Sequence, residues 1–225
     1  MACNHGGSNA VCSAAQDFCN NEILGSLSGR WDIYYVPTAN PDPYPPQLDS
    51  YLHSSAVTSK IGSQSTWVKG NTHVYGQFGA TGDWMRSSLR DLEMVINFGV
   101  RTVIYDGDAD YICNYMGVEA MVRPSYSLLP HSSILLTYAM TPSMHAQTSA
   151  LNTRFSALFA RQNFTTYNVH GKSAGIYKNA GTFSYLRVFG AGHEVPAYLW
   201  RGVPRGAAAL QMFTQITSDH QLSST

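Results

Sequence analysis

The chain has 225 residues, enough to bury a sizeable core in one or two domains. Its 14 basic and 14 acidic side chains cancel, which excludes a charge-driven binder of nucleic acid or of an anionic membrane surface. No run of about 18 apolar residues is present to span a membrane, and residues 1–20 lack the apolar centre of a signal peptide.

In chain order, Val11, Ala14, Phe18, Ile23 and Leu24 recur at helical spacing, so Ala10–Leu27 is predicted as a helix ending near Gly25. Pro37–Pro46 is proline-rich and must be an extended loop. Gln47–Ile61 and Ser87–Phe98 read as helices, the second closed by Gly99 as its C-cap. Val100–Tyr105 is a short β-branched run, a buried strand, and Tyr111–Met121 is the next helix. Residues 124–153 hold no Asp, Glu, Lys or Arg, and Ser-Ile-Leu-Leu-Thr-Tyr-Ala-Met within them keeps neither a two-residue nor a 3.6-residue period. Tyr167–Val169, Ser173–Lys178 and Phe183–Phe189 read as strands, and Arg205–Ile216 as a closing helix. There are no internal repeats.

Chemistry concentrates in two loops. Val-Ile-Tyr-Asp-Gly-Asp-Ala-Asp-Tyr-Ile-Cys-Asn-Tyr-Met-Gly (103–117) and Ala-Gly-His-Glu-Val-Pro (191–196) each place a proton-handling residue just after an apolar strand. A histidine that moves protons and a carboxylate that orients it are two members of a Ser–His–Asp machine, and Asp110 before His193 is the α/β-hydrolase order. The nucleophile belongs upstream of Asp110 on a Gly-x-Ser-x-Gly elbow, and no such pattern precedes Asp110. Gly25-Ser26-Leu27-Ser28-Gly29 comes nearest, with leucine at its centre and no apolar strand before it.

Metal readings fail on the residues themselves. Asp106-x-Asp108-x-Asp110 opens like a calcium loop, but Tyr111 takes the glycine position and Gly117 that of the bidentate glutamate. His193-Glu194 opens like a zinc helix, but Ala197 replaces the second histidine and Pro196 opposes the helix. His5, His53, His73, His131, His145, His170 and His220 lack paired spacing. No metal and no cofactor are expected. Cys3, Cys12 and Cys19 are spaced by nine and seven, not as Cys-x-x-Cys, which fits a disulfide framework or a set of reduced core cysteines.

The two loops resemble the acid and histidine motifs of the serine carboxypeptidases, peptidases with an α/β-hydrolase core and a helical insertion. Cys3, Cys12, Cys19-Asn20-Asn21, Gly29-Arg30-Trp31-Asp32-Ile33-Tyr34, Tyr51-Leu52, Thr81-Gly82-Asp83-Trp84-Met85 and Thr182-Phe183-Ser184-Tyr185-Leu186-Arg187-Val188 are similar to family landmarks in the same order. Fungal members are most alike, and the likeness is to the family's C-terminal half. It implies an α/β fold, the C-terminal part of an α/β-hydrolase with an incomplete sheet. Residues 1–97 would be a portion of the helical insertion, or cap, and residues 98–225 the C-terminal part of the core.

The resemblance also implies roles. Asp110 and His193 are the expected catalytic acid and base of an enzyme that releases C-terminal amino acids from peptides or proteins through an acyl-enzyme. The nucleophile serine, the oxyanion donors and the groups that hold the substrate carboxylate would lie in an N-terminal half before residue 1. The chain alone is therefore expected to be inactive. Cys113 resembles a free cysteine beside the family's active site, and Glu194 stands where the family often has methionine, near the leaving-residue pocket. Both are expected to touch substrate. A Cys3–Cys12 disulfide is implied, with the partner of Cys19 upstream. Asn163-Phe164-Thr165 is a glycosylation sequon, and only 12% of residues are charged against roughly 25% in ordinary domains, so the full-length parent is expected to be secreted or vacuolar. Two other classes compete: a noncatalytic truncated remnant or binding protein, and an acyltransferase or hydroxynitrile lyase on the same fold.

The family joins the helix after the acid to a helix at Leu151-Asn152-Thr153-Arg154-Phe155 far more directly than this chain does. Residues 122–148 therefore read as translated intron sequence, from roughly Val122 to Gln147, or as a genuine insertion loop. Val-Arg can be encoded by a donor-like GTACGT, and Gln147 by an acceptor-like CAG. As protein, the stretch is expected to be an irregular loop.

Overall fold

The computed structural model describes residue 3 and residues 6–39, 48–122 and 150–225. Most of the predicted proline loop and all but Val122 of the 122–148 segment lie outside the described residues. The chain forms two compact units, residues 1–30 with 40–88 and residues 31–39 with 89–225.

The first unit is helical. Its helix α1 (Asn9–Phe18) opens where the Ser8 hydroxyl accepts the Val11 N–H at 3.4 Å. The helical path then runs through a π-helical stretch, Cys19–Gly25, into a single turn α2 (Ser26–Ser28). Gly25 keeps helical angles and does not stop the helix; Gly29, at φ 56°, does. The predicted Gln47–Ile61 helix is two helices, α3 (Leu48–His53) and α4 (Ser55–Ile61), because Ser54 takes an extended backbone between them. Helix α5 (Thr72–Thr81), which no sequence pattern announces, starts at Asn71, whose side chain accepts from both His73 and Val74 at 3.1 Å. It packs on α1 together with the 3₁₀ turn Asp83–Met85. A Cys3–Cys12 disulfide ties the start of the chain to α1, and Cys12 is wholly buried.

The second unit is a layered α/β body. It comprises α6 (Leu89–Asn97), β1 (Thr102–Gly107), α7 (Tyr115–Val122), α8 (Ser156–Arg161), β2 (Thr165–Val169), β3 (Lys172–Ala180), β4 (Phe183–Val188) and α9 (Ala207–Thr217). The strands form one sheet in the order β1-β4-β3-β2, with β1 and β4 parallel and β3 antiparallel to both its neighbours. Central β4 is buried on both faces, which explains its near-continuous apolar run. Leu186 and Val188 join a core with Tyr167, Val195, Ala208 and Met212; Phe183 and Tyr185 join the opposite core with Ile96, Val122, Leu151 and Phe159. Among the described residues no helix is long and apolar enough to cross a membrane.

Two of the boundary shifts from the predicted elements have their cause in the hydrogen bonds. Helix α7 starts at Tyr115, not Tyr111, because Tyr111 and Ile112 give their N–H groups to the Ile33 carbonyl and Asn114 caps the helix through the Gly117 N–H at 2.9 Å. The helix expected over 151–155 begins at Ser156, since Ser156 and Thr153 first close a turn on each other (Thr153 N–H to Ser156 Oγ, 2.8 Å).

Candidate active site

Register sets the site. Gly107, the last residue of β1, pairs with Val188, the last residue of β4, so two parallel neighbours release their loops at one level of the sheet. This end of a parallel pair is where α/β folds carry chemistry. The loops are then laced together. Asp108 N–H donates to Val188 O at 3.0 Å, Ala109 N–H to Ala191 O at 2.9 Å, and Gly190 N–H to the Asp108 carboxylate at 2.7 Å. The approach at Gly107 admits no side chain: a Cβ there would lie 2.1 Å from the Ala191 carbonyl oxygen.

A third segment, residues 31–39, straps both loops. Asp32 folds it into an Asx turn, its carboxylate accepting the N–H groups of Tyr34 (2.7 Å) and Tyr35 (3.2 Å). The strap's carbonyls then face the site. Ile33 O accepts from Tyr111 and Ile112, Tyr34 O accepts the His193 N–H at 2.9 Å, and Val36 N–H donates to Ala109 O at 3.0 Å. The Tyr34 ring also lies 5.2 Å from the His193 ring. The strap is legible in the sequence only as part of a family landmark; the signal that marks its work is an aspartate two residues before the backbone it holds.

The result is a pair. His193 Nδ1 lies 2.8 Å from Asp110 Oδ2 across 83 positions of sequence, with the Asp110 side chain 4% exposed and His193 37% exposed. A carboxylate only accepts, so Nδ1 carries the proton and Nε2 keeps the lone pair that can act as a base. The other Asp110 oxygen accepts the Cys113 N–H at 3.1 Å, which fixes the carboxylate in its turn.

The other residues singled out by the sequence lie at varying distances from that pair. The donor atoms of Cys113, Asp110 and His193 all fall within 4.8 Å of one another, a spacing a metal ion would accept. The chemistry opposes it. Desolvation, then the carboxylates of Asp110 and Asp106, raise the Cys113 thiol above its ordinary value and disfavour the thiolate that a metal or a nucleophilic role needs. Glu194 is half-buried beside His193, opening the 3₁₀ turn Val195–Ala197. Asn163 is exposed in the link between α8 and β2. Cys3 and Cys12, in the first unit, are bonded to each other. Gly25-Ser26-Leu27-Ser28-Gly29 sits at a helix C-terminus, not on a strand-to-helix turn.

Three acids beyond Asp110 show in the sequence only as an incomplete calcium loop or not at all. Asp108 holds the Gly190 amide, and burial raises its carboxyl above the usual range. Asp106 and Glu119 are buried beneath the loop around Tyr185, and desolvation pushes Asp106 up to about 7. The trace in the sequence is an acid inside each of two otherwise apolar runs, Val-Ile-Tyr-Asp106 and Gly-Val-Glu119-Ala-Met-Val.

Known proteins share this arrangement of sequence. Residues 33–219 match the family described as serine carboxypeptidase. The chain is similar to carboxypeptidase S1 of Penicillium janthinellum, 34% identical over 226 aligned positions that cover 99% of the chain and 46% of that protein. It is 31% identical to carboxypeptidase Y of Schizosaccharomyces pombe, over 86% of the chain and 18% of that protein. With carboxypeptidase S1 homolog A of Arthroderma otae it shares 29% identity, over 84% of the chain and 26% of that protein. The chain thus spans less than half the length of each of these relatives.

Proposed function

Because the chain belongs to the serine carboxypeptidase family, we propose that it supplies the acid–base half of a serine-type carboxypeptidase, with Asp110 and His193 as the working pair. The observation that supports this reading most is the 2.8 Å contact between His193 Nδ1 and the buried Asp110 carboxylate, which leaves Nε2 able to take a proton.

The reaction then runs by acyl transfer. A serine oxygen attacks the carbonyl carbon of the last peptide bond; the new C–O bond forms as His193 Nε2 takes the hydroxyl proton. When the C–N bond breaks, His193 returns that proton to the leaving amine, and water repeats the sequence on the ester. Asp110 accepts the Nδ1 hydrogen throughout, keeping one tautomer and stabilising the imidazolium. On this reading the serine, the oxyanion donors and the carboxylate-holding groups come from polypeptide outside these 225 residues, a view supported by the lack of any Gly-x-Ser-x-Gly before Asp110. The match at Gly171-Lys172-Ser173-Ala174-Gly175 lies downstream on the β2–β3 hairpin, where Ser173 pairs with Asn168, and not on a strand-to-helix turn. The substrate is a peptide or protein C-terminus, flanked by Cys113 and Glu194. Residues 1–97 serve as part of the helical insertion, apart from the strap 31–39 and the α6 stretch 89–97, which belong to the same compact unit as the core. Residues 98–225 serve as part of the core, in a glycosylated protein (at Asn163) of the secretory route.

The isolated chain is expected to show no turnover of a blocked dipeptide. Co-expressed with the Gly-x-Ser-x-Gly-bearing half of one of its fungal relatives, it should gain turnover that His193→Ala abolishes and Asp110→Asn lowers by about 10⁴-fold. Turnover by the isolated chain, lost in His193→Ala, would overturn the need for a second half. No turnover from the co-expressed pair, shown to associate, would favour a noncatalytic remnant.

A further inference from the structure

Asp106 and Glu119 take no part in the chemistry above, yet both are buried, at 7% and 8% exposure. They face each other from β1 and α7 across the fully buried Tyr185 of β4. The Tyr185 hydroxyl lies 3.0 and 3.2 Å from the two Asp106 oxygens and 3.5 Å from Glu119 Oε1. Arg187, also on β4, donates to Glu119 at 3.0 Å and stacks 4.4 Å from the Tyr115 ring at the start of α7. The groups around Asp106 are therefore Tyr185 and Arg187 on β4, Glu119 and Tyr115 on α7, and Asp110 with Cys113 in the next loop. Lys178 of β3 lies over the rings of Phe159 and Phe164, at 5.2 and 4.5 Å.

Among the described residues, the charges around Asp106 do not balance. One guanidinium is committed to Glu119, and the Asp110 carboxylate adds to the negative field. Among the described residues, an ionised Asp106 would be a buried charge hydrogen-bonded by the Tyr185 hydroxyl, with the nearby Arg187 guanidinium already bonded to Glu119. We propose that Asp106 is a proton-holding site that locks α7 onto β1 and β4, and that loss of its proton loosens α7 and the Asp110–Asn114 turn leading into it. Burial drives the effect, raising the Asp106 carboxyl from 3.8 to about 7; Glu119 and Asp110 add to it, Tyr185 and Arg187 oppose it. Burial also raises the Tyr185 hydroxyl, which stays a donor.

Because the folded value lies above the unfolded one, the folded chain binds more protons between about pH 4 and 7. Stability from this site is complete on the acid side and is lost as pH rises through about 7. Asp106→Asn mimics the neutral acid in shape and hydrogen bonding. Urea unfolding of the 225-residue chain and of this variant should diverge with pH: the wild-type folding constant should fall relative to the variant's by roughly a hundredfold between pH 5 and 8. Protection factors of the α7 amides should fall over the same interval in the wild type alone. A wild-type-to-variant ratio that is constant with pH would overturn the proposal. Should Asp106→Asn not fold, carbon-13 NMR of the labelled wild-type carboxyl decides the matter. A midpoint near 7 supports the site, and one near the ordinary 3.8 ends it.

Discussion

Cys113 shows how much a neighbour's charge decides at the scale of one residue. It is free and exposed, close to a histidine, and on proximity alone it would pass for a nucleophile. Its surroundings work the other way: desolvation and two carboxylates raise the thiol, whereas activated cysteines sit in electropositive settings. Alkylation of Cys113 by iodoacetamide at pH 8, followed by peptide mapping, is expected to run several-fold slower than that of an unstructured cysteine peptide. Asp110→Asn removes one of the two negative neighbours and should speed it. A rate equal to the peptide's and indifferent to Asp110→Asn would mean that the raised thiol is wrong. The same carboxylate thus restrains one neighbour, Cys113, while it orients the other, His193.

At the scale of elements, the site depends on two loops being held as one piece. Besides the Asp110–His193 pair, the Asp108 side chain crosses between them, taking the buried Gly190 N–H at 2.7 Å. Asp108→Ala leaves that amide without its acceptor and should cost about 1–3 kcal/mol in urea unfolding. Asp108→Asn keeps an oxygen in place and should recover most of the loss; equal losses in the two variants would point to something other than this bond. The strands that carry these loops are legible in the sequence because Val103 and Ile104 are β-branched and the Phe183–Val188 run is dominated by apolar and aromatic residues, the latter buried on both faces. The Asp110–His193 pair is legible as well, since order along the chain and position after a strand are both written in sequence. Other features are not. Helix α5 contains Gly76 and Gly79, which erase the helical signature, and it forms because α1 packs against it. The late start of α7 and the Asp106–Tyr185–Glu119 group depend on which segments meet across the fold, Ile33 against Tyr111 in one case and β1 against α7 in the other. No periodicity records such meetings.

For the molecule as a whole, the sharpest question is whether residues 123–149 belong to it. The described chain on either side gives a geometric answer. Leu151 N–H donates to the Met121 carbonyl at 2.8 Å, so the path leaves α7 and returns within one hydrogen bond. Joining Val122 directly to Ala150 would make Met121-Val122-Ala150-Leu151 a four-residue turn whose closing bond, from the first carbonyl to the fourth N–H, is already made. Loop closure of that length is inexpensive, and neither core loses a member: Val122 and Leu151 both stay. A chain lacking 123–149 is therefore expected to fold, to melt within a few degrees of the parent, and to keep the downfield proton resonance of the His193 Nδ1–H bonded to Asp110. It should also be more soluble, since it sheds a long uncharged stretch that includes Ile134-Leu135-Leu136. A single inserted glycine at the junction separates a strained closure from a needed segment. If neither version restores the resonance, the segment is part of what builds the site. If both keep it, mature messenger RNA should be sequenced across codons 122–148, and a transcript that skips a stretch bounded near Val122 and Gln147 would identify it as intron.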